Sequence, residues 1–223
     1  LRRLFELGGY AAAVILLAFG ISALVIGLNG RGEVRDNLKG EKIFGGGDMY
    51  PEGIAAAVQE AGLTDVVTDL PTCSVYDPAK AEADPEYEGE PIVDGNSAKC
   101  FASYMRIHAL ESSRGLVYAE MGRFISAANP DDPAGTSNAD EALKDESGSP
   151  VPNAARNTWV TETALSTALN VGFFAEQVSN FGIVVAIALI LAGIGFALLA
   201  FAAFHRPFHR ARGEASPPPP QQA

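Results

Sequence analysis

The stretch NTWVTETALSTALNVGFFAEQVSNFGIVVAIALILAGIGFALLAFAAFHR, residues 157–206, decides the architecture. It opens amphipathic, with Thr, Ser and Asn among apolar residues, and closes as uninterrupted hydrocarbon. Residues 177–204 carry no charge, and neither do residues 7–30. Each run exceeds the ~20 residues that cross about 30 Å of hydrocarbon at about 1.5 Å rise per residue. A helix satisfies its own backbone hydrogen bonds, so such runs insert as helices. The sequence therefore predicts a mainly α chain with two transmembrane helices, at residues 10–29 and 179–204.

The apolar part of the first run, YAAAVILLAFGISALVIGL, is longer than the ~7–15 residues of a signal-peptide core, and no A-x-A pattern follows it. It reads as an uncleaved anchor. Arg2 and Arg3 precede the first span, and Arg206, Arg210 and Arg212 follow the second. Basic residues beside spans favour the cytoplasmic side. Residues 1–9 and the basic, Pro-rich tail 205–223 are thus expected in the cytoplasm. Residues 30–178 are expected to form an extracytoplasmic domain anchored in the cell membrane.

Residues 31–176 hold 25 of the 27 acidic residues but 11 of the 16 basic ones. An acidic domain argues against nucleic acid, which needs a basic surface. The expected partners are the lipid bilayer and either a membrane or envelope protein or a second copy of the chain. Both cysteines, Cys73 and Cys100, fall in the same domain. An oxidising compartment permits a bridge there, and neither C-x-x-C spacing nor added Cys and His ligands favours a redox or metal role. A structural disulfide stapling an acidic loop is expected.

The outer domain reads as a small helical bundle. Val34, Leu38 and Ile43 carry the first helix beyond its span, until Gly45 to Asp48 break it. PEGIAAAVQEAG reads as a short helix, with Pro51 at its first position and Gly62 as its stop. DVVTDL and EPIVD are candidates for a short β ribbon. A longer helix is expected over residues 98–127, with Tyr104, Ile107, Leu110, Val117, Met121 and Phe124 on its apolar side. A loop follows, with one helical turn at residues 139–144. Asn153 then caps a single helix running to Phe204. Trp159, Leu165, Leu169 and Phe173 form its expected inward seam, and Thr163, Thr167, Asn170, Phe174 and Gln177 a second, mixed face. The polar residues Thr163, Thr167 and Asn170 are expected to be a buried wall of the bundle, bonded to neighbouring helices or local backbone.

RRLFELGGYAAAVILLAFGI, CFASYMRIHALES and NTWVTETALSTALN with FGIVVAIALILAGIGF together resemble a family of uncharacterised two-span membrane proteins of actinobacteria. Similar members carry an aromatic ring-opening dioxygenase label. That chemistry needs an iron site of several His and a carboxylate. Here His108 is expected outside the membrane, and His205 and His209 on the opposite side, so the three do not share one metal. The resemblance implies the two-span architecture and no activity.

Candidate sites are few. Tyr104, His108 and Glu111 stand at i, i+4 and i+7, and with Glu162 they form a candidate polar cluster. One His and two carboxylates is a thin set; a His bonded to a carboxylate, or an exposed polar face, reads the same residues more simply. The acidic loops lack a D-x-[DN]-x-[DN]-G pattern, and no nucleophile triad, phosphate loop or H-E-x-x-H motif is present. No catalytic, cofactor or metal site is assigned. Ala23 and Gly27, Gly182 and Ala186, and Gly193 and Ala197 place small residues four apart for close span packing. The expected function is that of a non-enzymatic accessory or scaffold subunit. The alternative is an extracytoplasmic ligand sensor that signals through a partner.

Overall fold

A computed structural model describes residues 2–205. Arg206, Arg210, Arg212, His209 and the Pro-rich tail of the expectations above lie outside the described residues. Five α-helices occur among the described residues: α1 (Arg2–Glu41), α2 (Pro51–Glu60), α3 (Pro78–Ala83), α4 (Gly95–Ser112) and α5 (Ala154–His205), with a 3-10 turn at Tyr118–Glu120. The described residues contain isolated β-bridges but no strand. Helices α1 and α5 are long and apolar enough to cross a membrane. The described residues form two compact units, residues 2–24 with 184–205, and Val25–Ile183.

The first unit is an antiparallel helix pair. Its seam is built from small residues. A Cβ added to Gly20 of α1 would meet Ile190 Cγ1 of α5 at 2.7 Å and the Ala186 carbonyl at 3.1 Å. A Cβ on Gly193 would meet Leu17 Cγ at 2.8 Å, and one on Gly9 would meet Ala200 Cβ at 3.1 Å. Ala13, Ala186 and Ala200 are buried. On α5 the small residues Ala186, Gly193 and Ala200 recur every seven positions, the spacing that keeps one seam facing a supercoiling partner. Close backbone approach gives the dispersion contacts that hold helices together where no hydrophobic force separates them from lipid. Val14, Phe19, Leu191 and Leu198 face outward.

The second unit has a hydrophobic core. Ile54 and Val58 of α2, Tyr104, Ile107 and Leu110 of α4, and Trp159 and Leu169 of α5 are buried in it, with Leu38 of α1 and the loop residues Val75 and Ile92. The predicted α2 is present with Pro51 in its first turn. Its stop is a left-handed Gly62 (φ +69°), from which N–H donates to Gln59 O at 3.1 Å while Leu63 N–H donates to Val58 O at 2.9 Å. These are the paired bonds of a Schellman ending, and Leu63 and Val58 are its apolar contact.

Helix α4 is shorter than its periodicity predicts. It stops at Ser112, because Arg114 and Gly115 both adopt positive φ (53° and 86°). Arg114 N–H donates to Glu111 O and Gly115 N–H to Leu110 O, closing the helix in the same way. Val117 and Met121 therefore reach the core from a loop rather than from a helix face; Met121 is buried, and Phe124 does not pack on this core. Helix α1 likewise ends at Glu41, where Lys42 turns left-handed (φ 50°), four residues before the Gly run.

Two further expectations are corrected. EPIVD does not pair with DVVTDL. Gly45 N–H donates to Glu90 O, Ile92 N–H to Ile43 O, and Glu90 N–H to Val75 O, so the segment lies between residues 43–45 and Val75. Gly45 and Gly89 have no side chains to obstruct this contact. Residues 139–144 form no helical turn. Ser126 bridges Ala142 and Lys144 bridges Pro150, so residues 121–153 are a knot of short extended pieces. The acidic loop is ordered by aromatic contact: Tyr76 lies 6.2 Å from Tyr50 and 5.3 Å from Tyr87, and Asp77 caps the short α3.

Candidate functional site

Helix α5 is started by Asn153, as expected. The Asn153 side chain is buried, and its Oδ1 accepts from Ala155 N–H at 3.1 Å, satisfying one orphan donor of the first turn. Its amide also donates to Gly122 O (3.1 Å) and Pro133 O (2.8 Å), tying the helix start to the extended knot. Six residues on, Trp159 is buried with its indole N–H donating to Leu116 O (2.9 Å) and Ser113 Oγ (3.1 Å). Arg106 lies over its ring at 4.9 Å. Leu169 completes the inward seam; Leu165 is half-buried against the core, and Phe173 is half-buried beneath Lys99 at 4.6 Å.

The next inward position is a carboxylate. Glu176 is buried and accepts from Gly95 N–H (2.6 Å), Arg35 Nε (2.9 Å) and Arg31 Nε (3.2 Å). Three elements meet on this one side chain: α1, the N-terminus of α4, and α5. An anion suits a helix N-terminus, where free N–H groups and the dipole favour negative charge. Gly95 is required here, since a Cβ would lie 2.8 Å from Phe173 Cα. Asp94, the α4 cap, is 3.8 Å from Arg35. Burial pushes the Asp94 carboxyl up, but hydrogen bonds from the Ser97 N–H and hydroxyl and the charge of Arg35 outweigh it, so the group sits below its ordinary value. Sequence reasoning missed this clamp. Its signal is that Glu162 and Glu176 are the only charges in residues 157–204.

The outward side of α5 overturns the expected buried wall. Thr163, Thr167, Asn170, Phe174 and Gln177 are all exposed. Asn170 donates to Ser166 O within its own helix, and Thr163 contacts the neighbouring Glu162. Two open grooves flank this face. One, of about 580 Å³, is lined by the Cys73–Cys100 disulfide, Lys99 and Arg106 of α4, and Thr163, Thr167 and Asn170. The other, of about 740 Å³, lies between Val117 to Ala119 and Val160, Ala164 and Thr167.

The disulfide predicted from the sequence is present, Cys73 to Cys100 with Cα atoms 6.0 Å apart. The members of the candidate polar cluster are divided. Tyr104 is fully buried and its hydroxyl donates to Cys73 O (2.5 Å). His108 Nδ1 lies 2.9 Å from Glu111 Oε2, and its Nε2 lies 3.4 Å from Asp48 Oδ1. Glu162 is buried and accepts from the Ser166 hydroxyl at 2.7 Å, sharing only the rim of an open groove with His108. Among the described residues no group of three or more His, Cys, Asp and Glu side chains is arranged to hold a metal ion.

The span-packing residues also divide. Ala186 and Gly193 lie in the seam of the first unit, and Gly27 packs on Ile183 and Ser179 within the second. Ala23 and Ala197 are half-buried, while a Cβ on Gly182 would meet nothing within 4 Å. The seam residues missed in the sequence, Gly20 and Ala13, stand seven apart rather than four.

These features define a mainly helical protein with two helices long and apolar enough for a membrane, a disulfide-bonded unit and an open face on α5. Compared with known protein families, curated proteins and solved structures, the chain matches none.

Proposed function

We propose that this chain is a membrane-anchored, non-enzymatic accessory or scaffold protein that presents the outward face of α5 to a protein partner. The observation that carries the reading is the exposed apolar series along that face: Val160, Val171, Phe174 and Val178 are each more than half exposed, at 54%, 60%, 68% and 52%. Lipid does not account for it. A helix of 52 residues is about 78 Å long at about 1.5 Å per residue. Hydrocarbon covers about 30 Å of that. With the charge-free residues 179–204 in the bilayer, the series before them meets water. Exposed apolar surface that recurs in an ordered row marks an interaction site.

Basic residues beside both termini support a cytoplasmic position for each, and so an extracytoplasmic position for residues 30–178. A disulfide in that segment is compatible with an oxidising compartment. Membership of the actinobacterial two-span family belongs to the same reading. A photo-reactive residue at Thr167, activated in native membranes, tests it. The expected result is one reproducible polypeptide adduct; adducts with lipid alone would overturn it.

A second reading has its own observation. Lys99 and Arg106 line the groove beside the disulfide, and among the described residues neither makes an ion pair; each rests on an aromatic ring. Two such cations suit an anionic small molecule, as a sensor would bind. Native mass spectrometry of the detergent-purified chain separates the two: a bound anion favours the sensor.

A further inference from the structure

The exposed series on α5 has a definite period. Val160, Ala164, Thr167, Val171, Phe174, Val178 and Phe181 are separated alternately by four and three residues, and all seven are exposed. That is the spacing of a coiled-coil seam, with Ala164, Val171 and Val178 at a positions and Val160, Thr167, Phe174 and Phe181 at d positions. The seam runs for about 32 Å at the helical rise. It stands on the side of α5 that its own core leaves open, since the inward residues Glu162, Leu169 and Glu176 are buried and also recur every seven.

We propose that a second copy of this chain occupies the seam, α5 against α5 in parallel register; the inference rests on the docking reading above and names its partner. Three observations select a second copy. Charge is the first. The chain carries a net charge of −11, so most contacts between copies set acid against acid. Within α5 the seam is an uncharged strip: its flanks are Thr163, Asn170 and Gln177 on one side and Thr161, Ala168, Ala175 and Gly182 on the other, and the bordering charges, Lys99 and Arg106 of α4, are cations that an acidic copy does not repel. The only acids in the stretch, Glu162 and Glu176, are buried in the chain's own core. A heteromeric coiled coil selects its partner by charges at these flanking helix positions, and α5 itself carries none there.

Orientation is the second. Two copies anchored in one bilayer point the same way, so a two-fold axis along the membrane normal brings each residue opposite its own copy. Every seam residue tolerates that pairing, being Val, Ala, Thr or Phe. Steric access is the third. The flank column shrinks from Thr161 through Ala168 and Ala175 to Gly182, where an added Cβ would meet nothing within 4 Å. Its place beside the seam gives that glycine a use.

Cysteine scanning of the full chain in native membranes tests the register. Single cysteines at Ala164, Thr167, Val171 and Phe174, oxidised with copper phenanthroline, should give disulfide-linked dimers, and Thr158→Cys, on another side of the helix, should not. The native pair is already joined and does not compete. In nanodiscs the particle should hold two chains, and Val171→Glu, which sets a charge opposite its own copy, should reduce it to one with unchanged protease resistance. One chain per particle for the unmodified protein, or dimer yield without the four-three period, overturns the inference. A Thr167 photo-adduct with a different polypeptide, and none with a second copy, overturns it while the docking reading stands. No polypeptide adduct of either kind overturns both.

Discussion

Leu169 and Thr167 stand two residues apart on α5 and have opposite environments. Leu169 is buried in the core, and Thr167 is exposed with no hydrogen bond to its hydroxyl among the described residues. Leu169→Ala removes packed atoms and leaves a cavity, at a cost of roughly 2–5 kcal/mol. The loss should appear as a lower thermal midpoint and faster proteolysis in detergent. Thr167→Val should cause no comparable loss; such a loss would mean that the Thr167 hydroxyl has a buried partner. Asp94 supplies a prediction in pH. Its carboxyl is held below its ordinary value of 3.8 by Ser97 and Arg35, against the opposing pull of burial. A group depressed in the folded state stabilises the fold above its unfolded pKa, and that stability is lost as pH falls through the folded value. Stability should therefore decline below pH 3.8. Asp94→Asn, which keeps a capping oxygen, should show a smaller decline over that window when thermal midpoints are compared across acid buffers.

At the scale of elements, backbone geometry decides more than side-chain periodicity. Val117, Met121 and Phe124 continue the apolar pattern of α4, and the helix ends before them because Arg114 and Gly115 turn left-handed. Periodicity marks Val117 and Met121 as core side chains although they arrive from a loop, and fails at Phe124, which does not pack on this core. In the apolar helix pair, seven-residue spacing on a close seam makes Gly20 the sensitive position. Gly20→Leu should force the helices apart and cost roughly 1–3 kcal/mol, as overpacking does. Gly195→Leu is the control, since a Cβ at Gly195 meets nothing within 4 Å. Unfolding in mild detergent, followed by circular dichroism, should separate the two variants; equal midpoints would contradict the seam.

At the scale of the whole molecule, the proposed topology makes a direct prediction. A periplasm-active reporter inserted after Asp84, an exposed residue that ends α3, should be active. The same reporter after Arg212 should be silent, and a cytoplasm-active one active there. The opposite pattern would reverse the reading of the basic flanks. Much of the architecture is legible in the amino-acid sequence alone. Two charge-free runs read as helices of membrane length, and α1 and α5 are long and apolar enough to cross one. Pro51, Gly62 and Asn153 mark element ends because each has a local reason to sit there: a missing N–H, a left-handed φ, a capping oxygen. Two cysteines in one segment allow a single pairing within the chain. The rest depends on distance across the fold. Glu176 gains its meaning only when Arg31, Arg35 and the α4 N-terminus converge on it from chain positions far away. Which side of α5 faces inward is likewise a tertiary outcome. Both of its sides repeat with helical spacing, and only the packing of α1 and α4 against one of them leaves the other open.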